Sequence, residues 1–272
     1  MAQQKVDRGK LTKAARIVLE SNYVIALTGA GISTRSGIPT FRGPGGLWND
    51  LDSAKNILDY NYFAADPERW WYEVFDRFGS FWSGFVGSLQ NAQPNKAHIA
   101  LADLEKRGVL KYLITQNIDN LHQNAGSRGV GELHGSFLKL RCLNCNSRFP
   151  ITDFFDQKQS QVIPKELPPR CTRCNTVLKC DAVLFNEAIP NEVLNECLAH
   201  LENSDCVLVV GTSGIIRPAA EFPARAKDNG ATLIEINPTQ TPLTPICDII
   251  LQYPADTILP LFVREIERLQ RK

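Results

Sequence analysis

A chain of 272 residues, 43% apolar and 22% charged, has the composition of a folded globular protein and excludes an extended disordered one. At roughly 150 residues per domain, that length holds two domains or one large domain carrying an insertion. Thirty Lys and Arg against 29 Asp and Glu leave a formal charge of +1, so no global field marks nucleic acid or an anionic membrane as a partner.

The opening stretch MAQQKVDRGK is polar and lacks the apolar region of a secretory signal. Apolar runs such as 206–210 and 249–251 fall far short of the ~20 residues that a membrane helix needs. The expectation is a cytoplasmic protein without membrane contact. In a reducing compartment, eight cysteines read as metal ligands or buried thiols rather than disulfides.

In chain order, residues 11–20 place Leu11, Ala14, Ala15, Val18 and Leu19 at helical spacing, with Asn22 as a stop. Residues 23–27 form a compact apolar run delivered into Thr28-Gly29-Ala30-Gly31, a strand followed by a glycine turn. Further strands are expected at 111–114, 206–210, 232–236 and 248–251. Amphipathic helices are expected at 96–107, at 217–229, and in the terminal stretch with Leu259, Phe262, Ile266 and Leu269 on one stripe. This alternation specifies an α/β fold, a parallel sheet covered by helices on both faces.

Two regions break it. Residues 43–95 hold all four tryptophans and read as a helical insertion or lid. Residues 139–180 hold five of the eight cysteines, including Cys142-Leu-Asn-Cys145 and Cys171-Thr-Arg-Cys174. Two such pairs clamp the edges of one tetrahedral Zn²⁺, and four thiolates leave no position for water, so the zinc is structural. Lys139, Arg141, Arg148, Arg170, Arg173 and Lys179 surround the pairs; solvated surface explains them as well as a nucleic-acid contact does, and no direct nucleic-acid binding is expected.

Gly29-Ala-Gly31-Ile-Ser33 permits a tight turn in which amides at a following helix start can meet a diphosphate. Thr34 stands where the dehydrogenase fingerprint has its third glycine, and no acidic residue ends a second strand about 20 residues on, which disfavours hydride transfer. Gly29–Ser33, Gln116–Asp119, Gly211–Ser213 and Asn237 all fall at carboxyl ends of expected strands, where loops converge on one crevice. Among the four histidines, His98, His122 and His200 read as ordinary core or surface side chains.

Five segments, Gly29-Ala-Gly31-Ile-Ser33 running on to Ser36-Gly-Ile-Pro-Thr40-Phe41-Arg42, Thr115-Gln116-Asn117-Ile118-Asp119, Glu132-Leu-His134-Gly-Ser136, Gly211-Thr212-Ser213 and Ile236-Asn237-Pro238, together resemble the sirtuin family of NAD-dependent protein lysine deacylases, in the family's order, over about residues 12–265. The short termini resemble the catalytic core of a prokaryotic member. The resemblance implies a Rossmann-like NAD-binding domain made of 12–42, 96–138 and 181–272. It also implies a small domain made of the helical insertion and cofactor loop, 43–95, and the zinc ribbon, 139–180.

The same resemblance implies NAD as co-substrate and one structural Zn²⁺ on Cys142, Cys145, Cys171 and Cys174. Gly29, Ala30, Gly31 and Ser33 would meet the diphosphate, with Gly211, Thr212 and Ser213 closing over it and Asn237 and Ala255 flanking the adenosine. Gln116, Asn117, Ile118 and Asp119 would hold the ribose and carboxamide, Phe41 and Arg42 would shield the reacting carbon, and Thr40 beside them would also bind the cofactor. His134 would be the general base, with Asn117 and Asp119 as its catalytic partners; an imidazole suits proton transfer at neutral pH.

Val183, Leu184, Phe185, Asn186 and Glu187, with Gly214, would bind an acyl-lysine peptide as an added strand. Asn186 stands where relatives usually have Gly, and Gly214 where they usually have Leu. Phe41, Ile118, Val183 and Phe185 would line an apolar acyl tunnel. The acidic-acyl branch uses a Tyr-x-x-Arg pair, and the local match, Val74-x-x-Arg77, lacks the tyrosine. Two other readings use the same residues: an ADP-ribosyltransferase or NAD glycohydrolase, and a non-catalytic NAD sensor or zinc-ribbon binding module.

Overall fold

The computed structural model describes residues 6–38, 56–158 and 161–271. Helix α1 (Arg8–Glu20) starts on the Asp7 side chain, which accepts from the Lys10 amide, and ends at Ser21. Strand β1 (Val24–Thr28) follows, and two 3-10 turns, Ala30–Ile32 and Thr34–Ser36, occupy the place where the sequence suggests an α-helix start. Helices α2 (Tyr60–Ala65) and α3 (Pro67–Asn91) precede α4 (Lys96–Lys106), which is capped by Asn95. Then come β2 (Leu110–Thr115), α5 (Leu121–Asn124) and β3 (Val130–Glu132).

The cysteine-rich segment adds β4 (Lys139–Arg141), β5 (Arg148–Pro150), β6 (Phe155–Lys158), β7 (Gln161–Pro164) and β8 (Lys179–Cys180). The chain closes with α6 (Asn191–Glu202), β9 (Cys206–Val210), α7 (Phe222–Asp228), β10 (Thr232–Ile236), β11 (Ile249–Leu251) and α8 (Ala255–Gln270). The helix expected over 217–229 is thus shorter: a 3-10 turn, Ala219–Glu221, precedes α7, whose second residue is Pro223. Proline fits a first helical turn, where its missing N–H costs nothing.

Six strands form one sheet in the order β11-β10-β9-β1-β2-β3, all parallel. Alternate residues serve opposite faces. Val24 and Ala26 pack with α1, α4 and α8, while Ile25 and Leu27 pack with α6 and α7. Both faces are buried, which is why these strands read as continuous apolar runs. The chain runs outward from β1 to β2 and β3, then returns to lay β9 against the other side of β1. Strand order therefore reverses between β1 and β9, the place where open α/β sheets form a crevice.

A separate core joins α2 and α3 to the β4–β8 segment. Trp70, Trp71 and Trp82 pack edge to face with ring centroids 4.9 to 6.1 Å apart. Two of these indoles also reach backbone. Trp70 Nε1 donates to the Ile57 carbonyl at 2.9 Å, and Trp71 Nε1 donates to the Leu178 carbonyl at 2.7 Å, tying α3 to the chain entering β8. Tryptophan combines large apolar burial with one donor that needs a partner, so it fixes orientation as well as area.

Candidate active site

A cleft of about 890 Å³ opens at the reversal point. Its floor is Gly29, Ala30 and Gly31 from β1 and Gly211, Thr212 and Ser213 from β9. The two strand ends touch backbone to backbone: the Gly31 amide donates to the Gly211 carbonyl at 2.8 Å and the Gly29 amide to the Val210 carbonyl at 3.1 Å. A Cβ on Gly31 would lie 2.6 Å from the Gly211 oxygen. Gly211 itself has φ +58°, and its Cβ would lie 2.5 Å from the Ile32 nitrogen. The glycines thus serve strand-end contact first, and the Gly31 amide is already committed.

Behind this floor lies a buried polar network. Ser33 Oγ donates to Asp119 Oδ2 at 2.6 Å and accepts from Asn117 Nδ2 at 3.0 Å. His98 Nδ1 accepts the Asn95 amide at 3.2 Å, which puts the neutral ring's proton on Nε2, 3.3 Å from Ser33 Oγ. Every position on the serine hydroxyl is then used. Burial pushes the His98 imidazole down to about 4, so it stays neutral, and burial raises the Asp119 carboxyl against the pull of Ser33 and the Leu121 amide. Thr28 Oγ1 donates to Thr115 Oγ1 at 2.8 Å and lies 3.0 Å from His122 Nε2; Thr115 Oγ1 accepts the Asn117 amide at 3.1 Å.

His134 lines the cleft beside Gln116 and Asn117. Its Nδ1 lies 3.0 Å from the Gln116 carbonyl. A carbonyl only accepts, so Nδ1 carries the proton and Nε2 of the neutral ring keeps its lone pair. Burial lowers the His134 pKa, partly offset by that hydrogen bond. The same Gln116 reaches across to β9, its Nε2 donating to Thr212 Oγ1 at 2.8 Å.

The opposite wall is the segment 182–187, with Ile57, Trp82, Phe85, Ile118 and Phe137 at an apolar end. Phe185 bridges to Asp59 in parallel: its amide donates to the Leu58 carbonyl at 2.8 Å, and its carbonyl accepts the Tyr60 amide at 2.9 Å. One edge of the segment expected to take a peptide is therefore covered at Phe185. Asn186 sits at φ 61°, a conformation asparagine tolerates, and its Nδ2 donates to Asp59 Oδ2 at 2.8 Å.

Cys142, Cys145, Cys171 and Cys174 converge with ligand atoms within 4.8 Å of one another. Sulfur separations of 3.4, 3.6 and 3.7 Å are far too long for disulfides and fit the roughly 3.8 Å edge of a tetrahedron with ~2.3 Å zinc–sulfur bonds. Each pair sits on the same turn. Asn146 and Asn175 follow the second cysteines in left-handed conformation, and their amides return to the Cys142 and Cys171 carbonyls. The donor set fits a structural zinc.

A model of the Sir2 family matches residues 29–218. The chain belongs to the Sir2 family. It is 42% identical over 257 residues to NAD-dependent protein deacylase 1 of Archaeoglobus fulgidus, covering 94% of this chain and 98% of that one. It is 44% identical over 255 residues to an NAD-dependent protein deacetylase of Caldivirga maquilingensis, covering 94% and 93%. Among solved structures, a Sir2 homologue complexed with NAD matches with a TM-score of 0.78 at 41% identity over 94% of each chain. A Sir2 complex with a p53 peptide and NAD+ matches at 0.73 and 32% identity, covering 96% of this chain and 98% of that one.

In this Sir2 chain the cleft lining brings together Gly29, Ala30, Gly31, Gln116, Asn117, Ile118, His134, Val183–Glu187, Gly211–Ser213 and Asn237. Ser33 and Asp119 stand behind that wall, at 1% and 3% exposure. Gly214 lies between the lining residues Ser213 and Ile215, at φ +64° against Leu243. Ala255 packs into the core at the start of α8 and is not among the lining residues. Thr40, Phe41 and Arg42 fall outside the described residues. Arg77 is exposed on α3, close enough to Glu73 and Tyr62 to act on their charge, while Val74 points into the core.

Two sequence readings need correction. Arg141 and Lys179 are not solvated surface: their side chains are 7% and 0% exposed, because carboxylates meet them inside. Helix α6 escaped the sequence reading although Val193, Leu194, Cys197, Leu198 and Leu201 recur at helical spacing after Pro190. Of the cysteines outside the two pairs, Cys180, Cys197 and Cys206 are buried thiols, and Cys247 is half-buried. Among the described residues no helix is long and apolar enough to cross a membrane.

Proposed function

We propose that this cleft is the active site of an NAD-dependent protein lysine deacylase with His134 as general base. The supporting observation is the His134 ring itself: Nδ1 is spent on the Gln116 carbonyl, 3.0 Å away, in a cleft-lining position. That leaves an unprotonated Nε2 at neutral pH, the state a base requires. NAD supplies nicotinamide as leaving group and a ribose carbon that takes up the acyl oxygen, and one water is consumed when the lysine amine leaves the acyl carbon, so the products are nicotinamide, deacylated lysine and O-acyl-ADP-ribose.

The chain's part is to hold, orient and keep dry. Gly29, Ala30 and Gly31 with Gly211, Thr212 and Ser213 form the floor for the diphosphate, and Asn237 flanks the adenosine half. Asn117 presents its amide to the ribose. Its Nδ2 is fixed by Ser33, which Asp119 and His98 hold in turn. The apolar end, with Ile118 and Phe137, excludes water that would compete for the ribose carbon. The acyl-lysine lies along the segment 183–186, and the four cysteines hold a zinc remote from the chemistry.

Incubating the protein with NAD and an acetyl-lysine peptide should give O-acetyl-ADP-ribose and deacetylated peptide by mass spectrometry. A protein mass gain of one ADP-ribose would reassign it as an ADP-ribosyltransferase. Free ADP-ribose beside unchanged peptide would make it an NAD glycohydrolase.

A further inference from the structure

The peptide-side wall holds a buried charge cluster that the chemistry above does not use. Glu187, on the segment expected to bind peptide, has a side chain only 5% exposed. Its Oε1 accepts from Arg141 Nη2 at 2.6 Å, and its Oε2 lies 2.9 Å from Lys179 Nζ and accepts the Leu184 amide at 2.8 Å. The Glu187 amide closes the loop by donating to the Leu184 carbonyl at 3.1 Å. The carboxylate thus clips its own segment into shape from the inside.

Both cations come from the cysteine-bearing ribbon. Arg141 ends β4 immediately before Cys142, Lys179 begins β8, and the two residues pair across the antiparallel ladder. The Lys179 ammonium also donates to the Cys180 and Ala182 carbonyls at 2.7 and 2.6 Å, so all three of its hydrogens are used. Asp181 completes the cluster, facing Arg141 Nε at 3.4 Å and Arg148 Nε at 3.1 Å. Two positive charges this deeply buried need such carboxylates, because an unpaired buried charge is costly.

The segment is also tied to the base. The Val183 amide donates to the His134 carbonyl at 2.9 Å, and Gly135, at φ +65°, lets the Asp181 oxygen come within 2.1 Å of where a Cβ would stand. A shift at residues 183–186 therefore moves the peptide wall relative to His134. We infer that Glu187 is a positioning residue for peptide binding: gripped by Arg141 and Lys179 of the ribbon, it fixes the backbone at Leu184 and so sets the wall along which the acyl-lysine peptide lies. The inference rests on the deacylase reading and adds that Glu187 acts from behind the wall, with its carboxylate turned away from the peptide.

The test uses the full zinc-loaded chain. Glu187→Gln keeps the shape but turns an amide NH₂ toward groups that are all donors. Affinity for a fluorescent acetyl-lysine peptide, measured by anisotropy with ADP-ribose present, should fall about tenfold or more. ADP-ribose affinity, measured by calorimetry on the same sample, should stay within about threefold, and the KM for peptide should rise more than kcat falls. Glu187→Asp keeps the buried charge, so it folds if the Gln variant does not; shortened by one methylene, it should show the same split to a smaller degree.

Peptide and ADP-ribose affinities falling together, or peptide affinity unchanged, would overturn the positioning role. Wild-type protein that neither binds nor deacetylates the peptide would instead overturn the deacylase reading, and the positioning role with it.

Discussion

On the sheet side of the cleft, Gly31 and Gly211 let two strand ends meet backbone to backbone, with a hydrogen-bonded network of Ser33, Asn117, Asp119 and His98 behind them. On the ribbon side, Arg141, Lys179, Asp181 and Glu187 hold a loop by buried ion pairs. The first wall depends on sterics and satisfied hydrogen bonds, so it needs nothing from the ribbon. The second depends on positive charges delivered by β4 and β8, the strands that flank the four-cysteine cluster in the chain. The two walls should therefore fail separately, the NAD side by local substitution and the peptide side at a distance.

The largest effect is expected at the point where the walls meet. His134→Ala removes the proton acceptor and little packing, so turnover should drop by about 100-fold or more while ADP-ribose affinity changes only severalfold. Single-turnover kinetics with calorimetry on the same sample check both halves. Retention of more than about a tenth of the wild-type rate would remove His134 from the role of base.

Zinc removal should separate the walls next. Thiolate ligation couples metal binding to local folding, so a chelated sample should lose acetyl-peptide binding and show a lower, broader thermal transition. ADP-ribose affinity should stay within about fivefold, because the β1 and β9 ends do not lean on the cysteines. Joint loss of both ligands would show that the sheet wall depends on the ribbon after all.

Acyl selectivity tests the apolar end of the peptide wall. A carboxylate entering it needs a cation, and Arg77 is exposed on α3 rather than lining the cleft. The described lining offers Arg217 alone, 82% exposed and paired with Glu221 at 3.1 Å. Acetyl, butyryl and myristoyl versions of one peptide should each exceed the succinyl version in kcat/KM, by about tenfold for acetyl. A faster succinyl reaction would require a cation at the apolar end.

The contrast between walls also explains what the sequence discloses. Glycine at a strand end and cysteine pairs with two residues between them are local signals, so the strand-end position of Gly29, Gly31 and Gly211 and the convergence of the four cysteines are legible from the sequence. The parallel sheet is legible for the same reason, since strands buried on both faces are runs of apolar residues. Arg141 and Lys179 are not legible that way. A buried cation differs from a solvated one only by its partner, and Glu187 lies 46 residues beyond Arg141 in the chain. His98 is similar: its place behind Ser33 follows from α4 meeting the β1 turn, which no periodicity encodes. The three-residue strand β3 is too short to carry an alternation.

The smallest expected effect is a pH shift, and its sign follows from burial. An ordinary imidazole with a pKa near 6.5 would be half protonated at that pH and would halve the rate. Burial lowers His134, so more than half of the activity should remain at pH 6.5, and the acid limb of kcat/KM should have its midpoint below that value. Stability moves in the same direction. His98, His122 and His134 are all lowered in the folded state. As pH falls below about 6.5, the unfolded chain takes up protons that the folded chain refuses, and stability declines until the folded pKa values are reached. Asp119, raised by burial, opposes this only at more acidic pH, where its folded carboxyl protonates before the unfolded one. For His98, depressed to about 4, the loss approaches ~3 kcal/mol near that pH. Initial rates must therefore be taken well below the melting temperature at each pH. Under those conditions, an acid limb centred above pH 6.5 would mean that a charge from outside the described wall raises His134.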